Sequence, residues 1–286
     1  MNSLVDAPNA VTFGCQGEQL LGLIHHAQAD SSHGVLIVVG GPQYRVGSHR
    51  QFVVLARHLA RHGIHAMRFD YRGMGDSSGP MRNFENIHDD LRAAVDTFFA
   101  QVPSLRSLTL WGLCDAASAT LFYAHTDSQV ARIVLVNPWA RTPQTLAKTY
   151  LRHYYLGRLV DPELWRKVFS GRFKPGQALR SAARLVRAAS SGPPASLDAS
   201  NSCQPLTQRM LNGLAQFHGP VLLILSGDDL TAREFVDVTA KSREWRRQLS
   251  GRRLTRREVG DADHTFSRRR WRDQVAEYTA NWLDSW

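Results

Sequence analysis

Three short stretches of the sequence contain a nucleophile, a base and a carboxylate, together with small residues typical of sharp turns. The first is Trp111-Gly112-Leu113-Cys114-Asp115-Ala116, in which a cysteine stands two positions from Gly112 and from Ala116. A small–x–nucleophile–x–small pattern is typical of a tight turn from a strand into a helix, which pushes the central side chain into a cleft. A thiol at a helix N-terminus tends to ionise, although the adjacent charge of Asp115 opposes this. Cys114 is therefore the candidate nucleophile, and a small buried turn cysteine is the alternative.

The other two stretches supply a base and an acid. His264 lies within Gly260–Phe266, after the last predicted strand, and is the candidate general base. A loop histidine that only bonds to backbone is the alternative. In Ser226-Gly227-Asp228-Asp229-Leu230 a carboxylate can fix the tautomer of that imidazole; Asp229 is preferred and Asp228 is the fallback. The histidines expected on solvated or helix-surface positions are His25, His26, His49, His58, His62 and His65.

Two further loops support the same site. Val39-Gly40-Gly41-Pro42-Gln43 follows an apolar strand and can supply a backbone N–H group to an oxyanion hole, together with the N–H of Asp115. Proline has no N–H, so Gly41 or Gln43 must donate, and we predict Gly41. The loop Asp70–Ser77 is assigned a structural role, with Arg72 holding neighbouring loops together.

The elements that must position these residues alternate between strand and helix, which favours an α/β fold with a parallel sheet. The predicted strands are Gln19–Ile24, Val35–Val39, Ala66–Phe69, Leu108–Trp111, Ile133–Val136, Val221–Leu225 and Leu254–Val259. The predicted helices are Gln51–His62, Ile87–Phe99, Ala116–His125, Ala232–Leu249 and Arg270–Trp286. Each candidate residue follows a strand, at the sheet edge where open parallel sheets bind ligands.

The alternation breaks between the two halves of the chain. We predict a core formed by residues 1–137 and 214–286, with an inserted helical cap at 138–213 that contains a flexible Ser/Gly/Pro segment at 189–205. Aromatic residues of the insert can wall a substrate pocket or simply form the core of the insert: Tyr154, Tyr155, Trp165 and Phe169.

Composition excludes several classes of protein. The 286 residues carry three cysteines, Cys15, Cys114 and Cys203, which form no CxxC pair, so neither a disulfide framework nor a metal site is predicted, and no cofactor. The apolar runs are too short to span a membrane, and the first residues do not resemble a secretory signal. A cytoplasmic protein is therefore expected.

The net charge of +10 favours anionic neighbours. Basic clusters occur at Arg252, Arg253, Arg256, Arg257 and Arg268–Arg270, but no nucleic-acid recognition motif accompanies them. A solvated face, or peripheral contact with an anionic lipid or polysaccharide surface, is preferred over nucleic-acid binding.

Five sequence pieces, GGPQ, DYRGMGDS, GLCDAAS, SGDDLTA and GDADHTF, resemble the α/β-hydrolase superfamily over Val35–Val136 and Pro220–Trp286. The nucleophile, acid and histidine also follow the chain order of that superfamily. GGPQYRVGSHRQF, GLCDAAS and SGDDLTAREF are similar to a narrower bacterial group, the exosortase A system-associated hydrolases of the first type, which carry cysteine in the elbow. The resemblance implies a mostly parallel sheet with helices on both faces, and Cys114, Asp229 and His264 as nucleophile, acid and base. It also implies a link to exopolysaccharide. Ala116 departs from the expected glycine but remains small.

The expected activity is hydrolysis of a small-molecule ester, thioester or related acyl bond, on a substrate that carries negative charge, through a covalent acyl-enzyme. Two alternatives stay open: an acyltransferase on the same fold, and a non-catalytic binding protein that keeps the shape of the site.

Overall fold

The protein was analysed as a computed structural model that describes residues 7–28, 31–41, 43–140 and 204–286. Eight strands form one sheet in the order β1-β2-β4-β3-β5-β6-β7-β8. β2 runs antiparallel to β1 and to β4, and all the other neighbouring strands are parallel. The strands are β1 Asn9–Cys15, β2 Glu18–His25, β3 His33–Val38, β4 His65–Asp70, β5 Ser107–Leu113, β6 Val130–Val136, β7 Val221–Ser226 and β8 Leu254–Val259. The predicted mostly parallel sheet is confirmed.

Helices cover both faces of the sheet. Because side chains alternate across a strand, Val35 and Ile37 of β3 join the core beneath one helical layer and Leu36 joins the core beneath the other. The helices of the described residues are α1 Gln51–Arg61, α2 His88–Gln101, α3 Asp115–Tyr123, α4 Leu206–Gln216, α5 Leu230–Lys241, α6 Arg243–Leu249 and α7 Arg269–Leu283. Helices α1 and α7 pack on the face that contains Val35, whereas α2, α3 and α4 pack on the opposite face.

The antiparallel edge of the sheet was not predicted. β1 and β2 form a hairpin in which Cys15 pairs with Glu18 around the two-residue turn Gln16-Gly17. Both turn residues have positive φ, 51° and 84°, as a type I′ hairpin turn requires. The available signals in the sequence were Gly17 and the apolar residues at alternate positions of β1, Val11, Phe13 and Cys15.

The predicted helix Ala232–Leu249 is two helices. Ser242 adopts an extended conformation between α5 and α6, and its hydroxyl oxygen accepts a hydrogen bond from the N–H of Trp245. The break turns Trp245 onto Phe235, with ring centroids 5.7 Å apart at 82°. Burial of these two aromatic rings against each other overrides the continuous helical pattern.

Two histidines that were expected at the surface are buried. His25 is 3% exposed and His65 is 7% exposed. His25 accepts a hydrogen bond from the Arg68 guanidinium, and Nδ1 of His65 accepts one from the N–H of Ala27. They lie on β2 and β4, in the interior of the sheet, and their hydrogen bonds offset the cost of burial.

The predicted insert largely lies outside the described residues, including its four aromatic residues and most of the 189–205 segment. Helix α4 is described, and its Met210 and Leu214 are buried in the core against α3. The predicted boundary between residues 213 and 214 falls within this helix. The insertion itself stays a prediction.

Close backbone contact joins the loops that follow β7 and β8. The N–H of Gly227 donates to the carbonyl oxygen of Val259, and the N–H of Asp228 donates to that of Ala262, both at 3.0 Å. A Cβ atom on Gly227 would lie 1.6 Å from the carbonyl oxygen of Gly260. The two loops therefore approach each other only because residue 227 has no side chain.

We expect Gly227→Ala to lower the free energy of unfolding by about 1–3 kcal/mol, because the added methyl group overlaps backbone that must move apart. Gly260→Ala is the matched control, since a Cβ atom there has no neighbour within 4 Å. Urea unfolding of both variants measures the difference. Equal stability of the two variants would contradict this account of the loop contact.

Candidate active site

Cys114 occupies a strained turn between β5 and α3. Its backbone has φ 64° and ψ −125°, a conformation that L-residues rarely adopt and that is associated with functional sites. The turn is held by a hydrogen bond from the Cys114 N–H to the carbonyl oxygen of Val136, at 2.9 Å. A Cβ atom on Gly112 would lie 2.5 Å from the carbonyl oxygen of Ala116, whereas Ala116 itself is accommodated and fully buried. The structure therefore has the predicted elbow.

Asp229 and His264 are joined by a hydrogen bond. Nδ1 of His264 lies 2.8 Å from Oδ2 of Asp229. The Asp229 carboxylate also caps helix α5 by accepting hydrogen bonds from the N–H groups of Thr231 and Ala232, which fixes its orientation. Asp228, the fallback acid, is instead 80% exposed and pairs with Arg233 at 3.6 Å. Of the two predicted carboxylates, Asp229 contacts the histidine.

The side chain of Cys114 also interacts with the His264 ring and is among the causes that raise the pKa of this histidine. Because Nδ1 faces Asp229, Nε2 is the ring nitrogen left to serve the sulfur. Burial lowers the pKa of His264, but the hydrogen bonds and negative charges of Asp229 and Cys114 outweigh burial and raise this pKa to about 10. Thiol, imidazole and carboxylate thus lie in one connected row, and the imidazole holds a proton well above neutral pH.

Asn137 is a site residue that the sequence analysis missed. It directly follows β6, is fully buried and has a φ of 43°. Its side chain accepts from the N–H of Ser226 and donates to the Ser226 hydroxyl, both at 2.8 Å, and also donates to the carbonyl oxygen of His264. This amide therefore fastens the histidine loop to the end of β7. The available signal was its position at a carboxyl strand end, where an asparagine tolerates left-handed backbone.

The N–H groups predicted to form the oxyanion hole meet a side chain. The Gly41 N–H donates to Oδ2 of Asp115 at 2.8 Å. Burial raises the pKa of Asp115, although the N–H groups of Gly41, Ala116 and Asp115 itself act in the opposite direction. The Asp115 side chain was expected only as an adjacent charge, and the structure instead places it on the loop that follows β3.

Arg72 has the structural role that was predicted for it. Its backbone N–H and its guanidinium together donate three hydrogen bonds to the Asp90 carboxylate on α2, at 2.7 to 2.9 Å. Both side chains are buried. The pair ties the loop after β4 to the helical layer.

The described residues contain no group of three or more His, Cys, Asp or Glu side chains arranged to hold a metal ion. Among the helices that the structure describes, none combines the length and the apolar character needed to cross a membrane.

Comparison with known proteins decides the family. A family model described as serine aminopeptidase, S33 (Hydrolase_4), matches residues 31–264, a range that includes the elbow, Asp229 and His264. The chain belongs to this family. The family takes its name from a serine, whereas this S33 hydrolase has Cys114 at the elbow.

Solved structures show that the S33 hydrolase has an α/β-hydrolase fold. An esterase of Pyrococcus furiosus matches with a TM-score of 0.66 at 14% identity, over 100% of this chain and 94% of that chain. The protein Est1E of Butyrivibrio proteoclasticus, with bound ferulic acid, matches with a TM-score of 0.65 at 15% identity, over 96% and 98% of the two chains. A polyketide transferase of Penicillium sp is 33% identical over 93 residues, which span 29% of this chain and 30% of that protein.

Replacement of Asp229 by asparagine tests its contact with the histidine. Asparagine keeps an oxygen that can cap helix α5 but removes the charge that orients and stabilises the imidazolium, so we expect turnover to fall by about 10²-fold or more. Asp228→Asn removes a neighbouring charge without touching the ring and is expected to retain turnover. Steady-state hydrolysis of an activated ester compares them, and equal losses would contradict the assignment of Asp229.

Proposed function

We propose that the protein hydrolyses ester or thioester bonds through a Cys114–His264–Asp229 triad and a thioester acyl-enzyme. The observation that carries this proposal is the His264 ring, whose Nδ1 hydrogen bonds Asp229 at 2.8 Å and whose pKa is raised by interaction with both Asp229 and Cys114. Nucleophile, base and orienting carboxylate in this arrangement are the requirements of covalent acyl transfer.

In the first half of the reaction the Cys114 sulfur attacks the acyl carbon and the carbonyl electron pair moves to oxygen. The oxyanion accepts hydrogen bonds from the backbone N–H groups of Gly41 and Asp115, which we propose as the oxyanion hole. When the carbonyl re-forms, the bond to the leaving group breaks and the His264 imidazolium gives it a proton. The products are the thioester on Cys114 and the free alcohol or thiol.

In the second half, water attacks this thioester while neutral His264 takes one of its protons. Collapse of the tetrahedral species releases the carboxylic acid and breaks the bond to sulfur, which leaves as the thiolate. His264 keeps the proton that it took from water, which restores the imidazolium of the first half. The base function is available because the acylated sulfur has lost its negative charge, which removes two of the influences that raise the pKa of His264.

Cys114→Ala tests the nucleophile. We expect turnover of an activated ester to fall by at least about 10³-fold and labelling by a thiol-reactive acyl probe to disappear, because no acyl-enzyme can form. Cys15→Ala is the control, since this second described cysteine is buried in the core. Unchanged turnover in Cys114→Ala would contradict the mechanism, and a native protein that no ester acylates would favour the non-catalytic binding alternative.

The pKa of His264 predicts the pH dependence of acylation. With an alkyl ester, whose leaving group needs a proton, the single-turnover acylation rate should stay level above neutral pH and fall as the pH rises through about 10, where the imidazolium is lost. Mass spectrometry of the acylated chain measures the rate. A rate that keeps rising through this range would show that neutral His264, rather than the imidazolium, limits the step.

Acyl transfer to an alcohol is the second candidate function. The similarity to a polyketide transferase, which extends over 93 residues, favours this candidate. A hydroxyl acceptor would replace water in the second half of the reaction without any change to the triad. Product analysis with and without an added alcohol separates the two. Ester formation that exceeds hydrolysis at equal turnover would identify a transferase.

The cellular context that we propose is based on the parts of the sequence that resemble exosortase A system-associated hydrolases. The elbow cysteine and the GGPQYRVGSHRQF piece support a place in that group and a link to exopolysaccharide.

We propose that the insert at 138–213 selects the acyl substrate, and that the basic side chains contact an anionic substrate or surface. Arg256 and Arg257, both exposed on the edge strand β8, support the second point.

A further inference from the structure

A carboxyl group stands where the proposed oxyanion hole must receive substrate. Oδ2 of Asp115 accepts the hydrogen bond of the Gly41 N–H at 2.8 Å, and the N–H of Asp115 itself interacts with the same carboxyl group. These are the two donors that acyl transfer requires for the developing oxyanion. A carboxylate oxygen resembles that oxyanion in charge and in hydrogen-bond acceptance, so it competes for the same donors.

The space for this carboxyl group is provided by Gly40. A Cβ atom at residue 40 would lie 2.2 Å from Oδ1 of Asp115. Oδ1 is buried and has no hydrogen-bond partner among the described residues. One oxygen of the group is therefore satisfied and the other is not, which makes this position less stable than that of a fully bonded buried carboxylate. The side chain can leave at moderate cost.

Repulsion from the developing oxyanion favours departure of Asp115 during the reaction. In the resting state the attraction between the Asp115 carboxylate and His264 acts in the opposite direction and helps to hold the carboxylate in place. During acylation a negative charge develops on the substrate oxygen within the hole. Two anions cannot share the Gly41 N–H, so the Asp115 carboxylate must be displaced before the donor can stabilise the transition state.

We propose that the Asp115 side chain is a gate of the oxyanion hole: it occupies the Gly41 N–H in the resting enzyme, and a substrate must displace it to be acylated. This proposal rests on the proposed triad and adds a selection step. Small activated esters have little binding energy to spend on displacement, whereas an extended substrate gains that energy from contacts remote from the reacting carbonyl. The gate thereby restricts acylation of Cys114 to substrates that fill the site.

The test compares acylation with alkylation of Cys114. p-Nitrophenyl acetate transfers its acetyl group to sulfur and releases p-nitrophenolate, a reaction that needs the oxyanion hole. Iodoacetamide alkylates the same sulfur and releases iodide without forming an oxyanion. The ratio of the two second-order rate constants therefore reports on the hole and cancels changes in the nucleophilicity of the sulfur, with Cys114→Ala confirming the site of both reactions.

We expect Asp115→Ala to raise this ratio by about tenfold, as expected for removal of one charge-assisted hydrogen bond that competes with substrate. Asp115→Asn keeps the shape of the side chain and a weaker neutral acceptor, so it should give a smaller rise and it remains informative if the alanine variant is unstable. Asp261→Asn is the control for loss of a carboxylate, since Asp261 is 88% exposed in the histidine loop; its ratio should match that of the native protein.

An unchanged or lower ratio in both Asp115 variants would overturn the gate, and a lower ratio would show that the carboxylate supports the hole by holding the Gly41 loop. That result leaves the proposed function intact, because native Cys114 is still acylated. If iodoacetamide alkylates Cys114 but the ester acylates neither the native protein nor the variants, both the gate and the proposed acyl transfer are wrong.

Discussion

The proposed chemistry depends on one imidazole that lies between a carboxylate and a sulfur. His264 binds the carboxylate of Asp229 through Nδ1, and the side chain of Cys114 also interacts with the ring. These two interactions overcome the effect of burial and raise the pKa of His264 to about 10. In the proposed mechanism, acylation of the sulfur removes one of them and the same ring becomes a base. A single side chain would thus serve both halves of an acyl transfer, because its protonation follows the charge on its neighbour.

The interactions of His264 require that Cys114, Asp229 and His264 be positioned accurately at the carboxyl edge of the sheet. Cys114 must stand on strained backbone, which costs of order 1–3 kcal/mol and persists only because the surrounding elements fix it. The loops that carry Asp229 and His264 meet through Gly227, where no side chain fits. Asn137 joins the histidine loop to the end of β7 through hydrogen bonds to Ser226 and to the carbonyl oxygen of His264. Backbone contact between the loops and buried hydrogen bonds to the sheet therefore fix the positions of the site residues.

A cysteine at the elbow changes the electrostatic setting relative to a serine. The Cys114 sulfur interacts with His264, and the carboxyl group of the next residue, Asp115, accepts the hydrogen bond of the Gly41 N–H. If Gly41 and Asp115 form the oxyanion hole as we propose, a carboxyl group that fills it would limit indiscriminate acylation of the sulfur. The departure of this chain from the serine of its S33 relatives and the position of Asp115 thus belong to the same physical problem, the control of negative charge at one sheet edge.

Much of this arrangement follows from the sequence alone. Strand–helix alternation and continuous apolar runs predicted the parallel sheet, since such strands must be buried on both faces. The spacing in GLCDAAS predicted the elbow, because local backbone geometry determines such a turn. The positions of Asp229 and His264 directly after strands predicted that both lie at the carboxyl edge of the sheet, because parallel strands all end at that edge. The β1–β2 hairpin and the break at Ser242 were missed, since the first depends on a turn with positive φ and the second on the packing of Trp245 against Phe235.

Only the tertiary structure decided between Asp228 and Asp229, which are adjacent in the sequence and chemically identical. Asp229 is the N-cap of helix α5, and the N–H groups of Thr231 and Ala232 hold its carboxylate toward His264, whereas Asp228 is exposed. The contact of Asp115 with Gly41 and the hydrogen bonds of Asn137 were likewise invisible in the sequence. Each joins residues far apart in the chain through side-chain orientation, which is set by packing and not by residue type or spacing.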